Sequence, residues 1–171
     1  MIIKGNRVNL STFKYKDLRN KKYISWLKNK KLLKFSNQRF ETQNIKKLKN
    51  DFYLLKKNKD VFFKILSKKN IFIGTIIGRI NRNHRTCNLG ILIGDTSFKS
   101  KGYGLDAWKT ALNYSFRELK LRKVYAGTII SNKPMIKLFI KSKMKFEGKF
   151  RKHEIIGKKY QDLVFYSKFN R

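Results

Sequence analysis

Residues 90–108 of the chain read Gly-Ile-Leu-Ile-Gly-Asp-Thr-Ser-Phe-Lys-Ser-Lys-Gly-Tyr-Gly-Leu-Asp-Ala-Trp. An apolar strand runs into a loop of small residues, and the loop opens directly into an amphipathic helix. Gly102 and Gly104 let the backbone turn tightly and approach a ligand closely. The first amide groups of such a helix have no partner within it and lie at the positive end of its dipole, which is a geometry that binds phosphate. Lys99 and Lys101 add formal charge beside them. The segment therefore predicts an anion-binding loop over Lys99, Ser100, Lys101, Gly102, Tyr103 and Gly104. A Walker loop needs Gly-Lys-Ser/Thr at the helix start, and this loop has Gly-Tyr-Gly. A dinucleotide fingerprint wants a glycine at position 107, which is an alanine, and follows the first strand of a βαβ unit.

The rest of the pattern places that loop within one domain. Residues 7–13 alternate as a strand with Val8 and Leu10 on one face. A helix from Asp17 carries Leu18, Tyr23, Trp26, Leu27 and Leu33, and a second, capped by Thr42, repeats Ile45, Leu48, Phe52 and Leu55 at helical spacing. Strands over 61–67, 71–80 and 87–93 are joined by hairpin-length turns. A helix over 102–119, a strand over 124–130, a short helix opened by Pro134 and strands over 150–156 and 160–169 complete the order. Three antiparallel strands followed by a β–α–β crossover predict an α/β fold, a mixed and mostly antiparallel sheet of about seven strands flanked by helices on both faces. With one proline and no Gly/Ser-rich stretch, no linker divides the 171 residues, and a single domain over 1–171 is expected.

The charge is extreme: 43 Lys+Arg against 10 Asp+Glu, a formal +33. Such a field draws anions of many kinds, from nucleic acid and acidic membrane to phosphorylated substrates and cofactors. The basic residues are nevertheless spread along the whole chain, in company with Asn, Ile and Phe, the residues that AT-rich coding favours. No basic tail is present, and the strand aromatics fit core positions, which argues against nucleic acid as the partner. With 41% hydrophobic and 14% aromatic residues the chain has ample material for a core. One cysteine excludes a disulfide framework and a thiolate metal cage, and suits a reducing, cytoplasmic setting. No apolar run approaches the ~18 residues of a membrane span, so no membrane role is expected.

The loop 99–104 resembles motif A of the GNAT superfamily of N-acetyltransferases, whose loop reads Arg/Gln-x-x-Gly-x-Gly/Ala. The flanking Ile-Leu-Ile-Gly-Asp and Leu-Asp-Ala-Trp are similar to the RimJ/RimL-type branch, which includes amino-sugar nucleotide acetyltransferases. Residues 132–148 resemble that branch's Asn-x-x-Ser-x-x-Leu-Tyr-x-x-x-Gly-Phe-x-x-Glu-Gly segment, and the tail with Glu147, Gly148, Arg151, Gly157, Tyr160, Asp162 and Tyr166 looks like it too. The resemblance implies the three-layer GNAT fold and acetyl transfer from acetyl-CoA, as co-substrate, to a primary amine, with no metal. It implies that 99–104 holds the cofactor pyrophosphate and that Ile91, Leu92 and Ile93 pair with the pantetheine arm. A backbone amide near Leu92 or Ile93 would steady the developing oxyanion, and Asn132 and Phe139 would lie along the cofactor.

The acceptor implied is a small-molecule amine, with a nucleotide-linked amino sugar foremost. Protein N-terminal acetylation and a non-catalytic CoA- or polyanion-binding member are the alternatives. A homodimer is compatible with any of them. The loop 34–40 supplies Asn37, Gln38 and Arg39 as substrate contacts, resembling a Ser-Glu-Gln-Arg stretch in which Asn37 replaces the acid, and His84 joins them from the turn over 81–85. The reaction needs a neutral amine and a protonated leaving thiolate. Glu154 stands where some ribosomal-protein acetyltransferases carry a catalytic glutamate, with its neighbour His153 expected on the opposite strand face. Glu41, Asp95 and Asp162 are the other carboxylates considered, and a water chain is a route without a dedicated base. The family's acid Tyr is here Phe139, and the Ser that sometimes replaces it is Met135, so neither position donates a proton. Ser142, Tyr125 or water remain as donors.

Overall fold

The computed structural model describes residues 1–42 and 44–170. Among these, eight strands form one sheet in the order β1-β2-β3-β4-β5-β6-β8-β7. The strands are β1 (Ile2–Lys4), β2 (Val8–Thr12), β3 (Val61–Ser67), β4 (Phe72–Asn81), β5 (Thr86–Ile93), β6 (Lys123–Ile129), β7 (Lys145–Ile156) and β8 (Lys159–Phe169). Helices α1 (Lys21–Lys28) and α2 (Ile45–Lys57) connect β2 to β3, while α3 (Tyr103–Arg117) and α4 (Lys133–Lys141) flank β6 in the chain. Neighbouring strands are antiparallel except β5 and β6. That single parallel contact is the crossover the hydrophobic pattern anticipated, since a parallel pair needs a long connection and α3 supplies it.

Two cores lie on the two faces of the sheet. On one, Val8, Leu10, Phe63, Ile65, Cys87, Leu89, Val124 and Ala126 meet Trp108, Ala111 and Leu112 of α3 and Phe139 of α4. On the other, Phe13, Leu18, Tyr23, Trp26, Leu27, Leu48, Leu55 and Phe62 pack together, joined by Ile77 and Leu92 from the sheet. Phe13 and Phe62 stack at 4.0 Å, and the Tyr23 edge meets Phe13 at 5.0 Å. At roughly 1.5–3 kcal/mol for each large apolar side chain removed from water, these clusters dominate the fold's stability.

Several boundaries differ from the sequence pattern. The extra strand β1, Ile-Ile-Lys, is too short to show a period in the sequence, and in the fold Ile3 is half-buried against the α3 core. The helix expected from Asp17 is a 3-10 turn over Tyr15–Arg19, and α1 starts only after Asn20, whose side chain accepts the Tyr23 amide. Asn44, not Thr42, caps α2, because its side chain accepts the Lys47 amide at 2.9 Å. Strand β7 begins at Lys145, five residues earlier than the pattern shows, because bulges at Phe146/Gly148 and Phe150/Glu154 break its alternation.

Candidate active site

Strand β5 leads into the anion loop through Gly94, whose amide donates to the Ile73 carbonyl at 2.9 Å. A Cβ at Gly94 would overlap the Trp26 indole, so only glycine lets α1 lie against this turn. Asp95 then accepts both the amide and the hydroxyl of Ser97, closing one 3-10 turn over Thr96–Phe98. Ser100 and Gly102 adopt positive φ, +59° and +84°, and Gly102 is the N-cap of α3 with no side chain across it. As a result the six amides of residues 100–105 make no hydrogen bond to another described residue. Lys99, Ser100 and Lys101 are exposed beside them, and Phe98 meets Tyr103 edge-on at 5.0 Å. A run of free N–H groups at a helix start, flanked by two ammonium groups, is chemically suited to a diphosphate.

The second element is a wedge in the sheet. Strands β5 and β6 pair only from Thr86–Asn88 against Lys123–Tyr125, while β6 continues to Ile129 against β8. Beyond Asn88 the β6-facing edge of β5 has no strand partner among the described residues, and Gly90 and Gly127 are exposed. The ladder on the other side decides which amides face the opening. The bond from Gly94 to Ile73, continued by the register Gly74↔Ile93, Thr75↔Leu92 and Ile76↔Ile91, turns Leu92 toward β4 and Ile91 and Ile93 toward the wedge. The close approach of the Leu92 carbonyl oxygen to Gly74 agrees. The Leu92 amide therefore faces β4 and not the wedge, contrary to the expectation of it, and the amide that faces the wedge at the mouth of the loop is that of Ile93. The Leu92 side chain packs on the α1–α2 core, and those of Ile91 and Ile93 pack on the α3 core. A Cβ on Gly104 would stand 3.4 Å from Cγ1 of Ile93 and 3.9 Å from Cδ1 of Leu138, so loop, strand end and α4 converge at one point.

Helix α4 forms the next wall. Asn132 caps it by backbone alone, and its side-chain amide donates to Thr128 Oγ1 at 3.0 Å. Phe139, expected along the cofactor, is 0% exposed, with its ring 5.7 Å from Trp108 and 5.2 Å from Tyr166. It is a core residue with no surface to offer a ligand, because α4 turns this face onto α3 and β8. Ser142 is also buried, its hydroxyl donating to the Phe139 carbonyl at 2.9 Å, so it is no proton donor for the wedge. Met135 is half-buried against the same core.

On the α1–α2 side, the sequence-predicted base and two of the predicted substrate contacts come together. The Arg39 guanidinium lies 3.5 Å from Glu154 Oε2, donates to the Ile155 and Ser36 carbonyls at 2.9 and 2.8 Å, and sits 4.2 Å from the Phe40 ring centroid. Asn37 Nδ2 donates to Glu154 Oε1 at 3.5 Å. The Arg39 and Glu154 side chains retain only 10% and 14% exposure. Glu154 thus sits between Asn37 and Arg39 and ties the 36–40 segment to β7. Gln38 is half-buried, its amide accepted by Ser36 Oγ.

The bulge before Glu154 is sewn by Asp162, which accepts the Lys152 amide at 2.9 Å and Lys149 Nζ at 3.0 Å. These bonds, the Lys152 amide first and then Lys149, hold its carboxyl below the ordinary value. The bulge also suspends simple alternation, and the exposed His153 ring packs 5.2 Å from Phe150.

His84 is not part of this cluster. It lies at the closed end of the wedge, where its carbonyl accepts Arg122 Nε at 2.9 Å. With Tyr125, Lys123, Glu147, Phe150 and Phe165 it lines an open hollow of about 390 Å³. Sequence reasoning missed three residues that shape the site: Trp26, which presses on Gly94, and Arg7 and Asp106, which bind the β1–β2 turn to the start of α3. No motif marks Arg7 or Trp26, and the Leu-Asp-Ala-Trp stretch that holds Asp106 does not tell of its contact, since each acts on a segment distant in the chain. Among the described residues no group of His, Cys, Asp and Glu is arranged to hold a metal.

The chain matches the acetyltransferase (GNAT) domain over residues 7–145, which takes in both the wedge and the loop. It belongs to the GNAT family. It is 27% identical over 110 residues to an uncharacterized N-acetyltransferase, YnaD, of Bacillus subtilis (strain 168), a stretch spanning 64% of each chain. A GNAT-family acetyltransferase from Bacillus anthracis superposes with a TM-score of 0.82 at 23% identity, covering 99% of both chains. Spermidine N-acetyltransferase from Vibrio cholerae, solved with CoA and spermine, gives 0.84 at 22% identity over 96% of each. RimL, a ribosomal L7/L12 α-N-protein acetyltransferase solved with CoA, gives 0.85 at 16% identity, covering 99% of this chain and 98% of that one. These likenesses extend the shared fold through β7 and β8, beyond the matched domain.

Proposed function

We propose that this chain is an acetyl-CoA-dependent N-acetyltransferase whose acceptor is the primary amine of a small anionic metabolite, a nucleotide-linked amino sugar being the chemical type. The observation that carries this reading is the wedge between β5 and β6 with the free amides of 100–105 at its mouth. The amides and Lys99 and Lys101 suit the cofactor diphosphate, and the unpaired edge at Ile91 and Ile93 suits the amide groups of the pantetheine arm. The thioester supplies the activated acetyl group. On this reading the Ile93 amide donates to the carbonyl oxygen as that oxygen gains charge, a role often worth about 3–4 kcal/mol in other enzymes. The amine enters from the α1–α2 side, past the Arg39–Glu154 pair, and gives up its proton to water; its nitrogen forms the bond to the acetyl carbon as the C–S bond breaks, and the CoA thiolate leaves and takes a proton from water.

The charge supports an anionic acceptor. A polycation of the spermidine kind meets a +33 field that repels it, whereas a phosphorylated amine is attracted. We place the reaction in the cytoplasm, consistent with the single buried, unpaired Cys87. A second reading, a CoA binder without turnover, is favoured by the absence of a proton donor at Met135 and by the enclosure of Phe139. Thiol release from acetyl-CoA across a panel of amines separates the two. Release with phosphorylated amino sugars and not with spermidine supports the first reading. Thermal stabilisation by CoA without thiol release supports the second, and no stabilisation overturns both.

A further inference from the structure

The turn between β1 and β2 is held against the start of α3 by one carboxylate. Asp106 accepts the amides of Asn6, Arg7 and Val8 at 3.2, 2.8 and 3.0 Å. The contact is close enough that a Cβ on Gly5 would stand 2.7 Å from Asp106 Oδ2. Lys68 Nζ holds the other side of the turn through the Gly5 carbonyl at 2.6 Å. Residue 7 is thereby indexed to the first turn of α3 although 99 positions separate it from Asp106. Its side chain runs over the loop: Arg7 Nε lies 3.8 Å, and its Cδ 3.9 Å, from where a Cβ on Gly102 would stand. The guanidinium is exposed and makes no ion pair among the described residues, since both Asp106 oxygens already serve the backbone. Six unbonded amides lie beside it.

We propose that Arg7 is a further anion-binding residue of this site and that it binds the cofactor diphosphate in concert with the 100–105 amides. The assignment rests on the acetyl-CoA reading above. A planar guanidinium anchored from outside the loop adds two parallel donors to a diphosphate oxygen pair, which the flexible ammonium groups of Lys99 and Lys101 do not. It also ties cofactor affinity to the N-terminal hairpin, a part of the chain remote in sequence from motif A.

The test is calorimetric titration of the wild-type protein, R7Q and R7K with CoA and with 3′-dephospho-CoA at low salt. R7Q is expected to bind both ligands about 10-fold more weakly, with R7K intermediate. KM for acetyl-CoA should rise while kcat holds, and the melting temperature of unliganded R7Q should stay within about 2 °C of wild type. R7Q that binds like wild type overturns the assignment, as does a loss that vanishes with 3′-dephospho-CoA, which moves Arg7 to the 3′-phosphate. A melting loss in unliganded R7Q that R7K restores in full, with no separate effect on ligand affinity, makes the residue structural and also overturns it. A wild-type protein that binds neither ligand removes the cofactor reading and this assignment together, whereas binding by wild type with no change in R7Q removes the assignment alone.

Discussion

Replacing Asp106 by alanine removes three hydrogen bonds at once from the junction of the β1–β2 turn and α3. A hydrogen bond to a charged group contributes about 1.5–3 kcal/mol net when it is shielded. Only the Val8 bond is partly buried, and the amides of Asn6 and Arg7 recover water when the carboxylate leaves. Counting the Val8 bond near 1.5 kcal/mol and the two exposed bonds at about 0.5 kcal/mol each gives a loss of about 2.5 kcal/mol. A carboxylate in the first turn of a helix adds about 0.3–1 kcal/mol through the helix dipole, so the total approaches 3 kcal/mol. For a chain of 171 residues, where 1 kcal/mol shifts melting by about 2–4 °C, the Asp106→Ala variant should melt about 6–12 °C lower. Asp106→Asn keeps one carbonyl acceptor and should fall between. Denaturant unfolding at neutral pH measures the loss, with Lys109→Ala, an exposed neighbour on α3, as the control expected to stay within about 0.5 kcal/mol. Asp106→Ala melting within about 1 °C of wild type, at an unchanged denaturant slope, would refute the claim that this carboxylate holds the hairpin.

Gly94→Ala should destabilise by about 2–3 kcal/mol, because its methyl group overlaps the Trp26 indole, and Trp26→Phe in the same chain should recover part of the loss in a thermal melt. Phe139→Tyr should leave turnover unraised and cost about 1–3 kcal/mol, since its hydroxyl enters an enclosed site between Trp108 and Tyr166; a faster enzyme would show that the hydroxyl reaches the wedge. The Lys152 amide and then Lys149 hold the Asp162 carboxyl below its ordinary value, so its support of the bulge is present above the ordinary aspartate range and is lost as pH falls through the lowered value. Protection of the amides at residues 149–154, taken relative to their intrinsic exchange rates, should therefore fall on going from pH 5 to below the ordinary aspartate range, and Asp162→Asn should show the lower protection already at pH 5. Exchange in the wild type that tracks only the intrinsic pH dependence would sink that account.

The loop and its neighbours were legible because the information is local. A strand of Ile-Leu-Ile, two glycines and a periodic helix lie within 90–108, and each follows its own propensity. The layer order was legible for the same reason, apart from β1, whose three residues are too few to show a period, and the first five residues of β7, which bulges disguise. Geometry that depends on register or on remote segments was not. Whether Leu92 or Ile93 offers its amide to the wedge turns on the hydrogen-bond phase between β4 and β5, a one-residue matter that leaves no trace in composition. Glu154 looked available because its partner Arg39 stands 115 positions away, and Phe139 looked like a cofactor neighbour because sequence shows the identity of a helix position but not which way the helix rolls. His84 drops out of the acceptor cluster because it stands at the closed end of the wedge.

The indole of Trp26 resting on Gly94 joins helix α1, which borders the proposed acceptor side, to the turn that leads from β5 into the anion loop. Any exchange of the α1–α2 segment for that of another family member, made to change the acceptor, therefore has to preserve an aromatic plate above residue 94. A transplant that keeps every acceptor contact but loses this plate would leave a void under the turn and let the loop drift, and the altered enzyme would bind its cofactor less well although no cofactor contact had been touched. If the proposed sites hold, a change of acceptor helix in this chain carries cofactor affinity with it, with one ring as the gear between them.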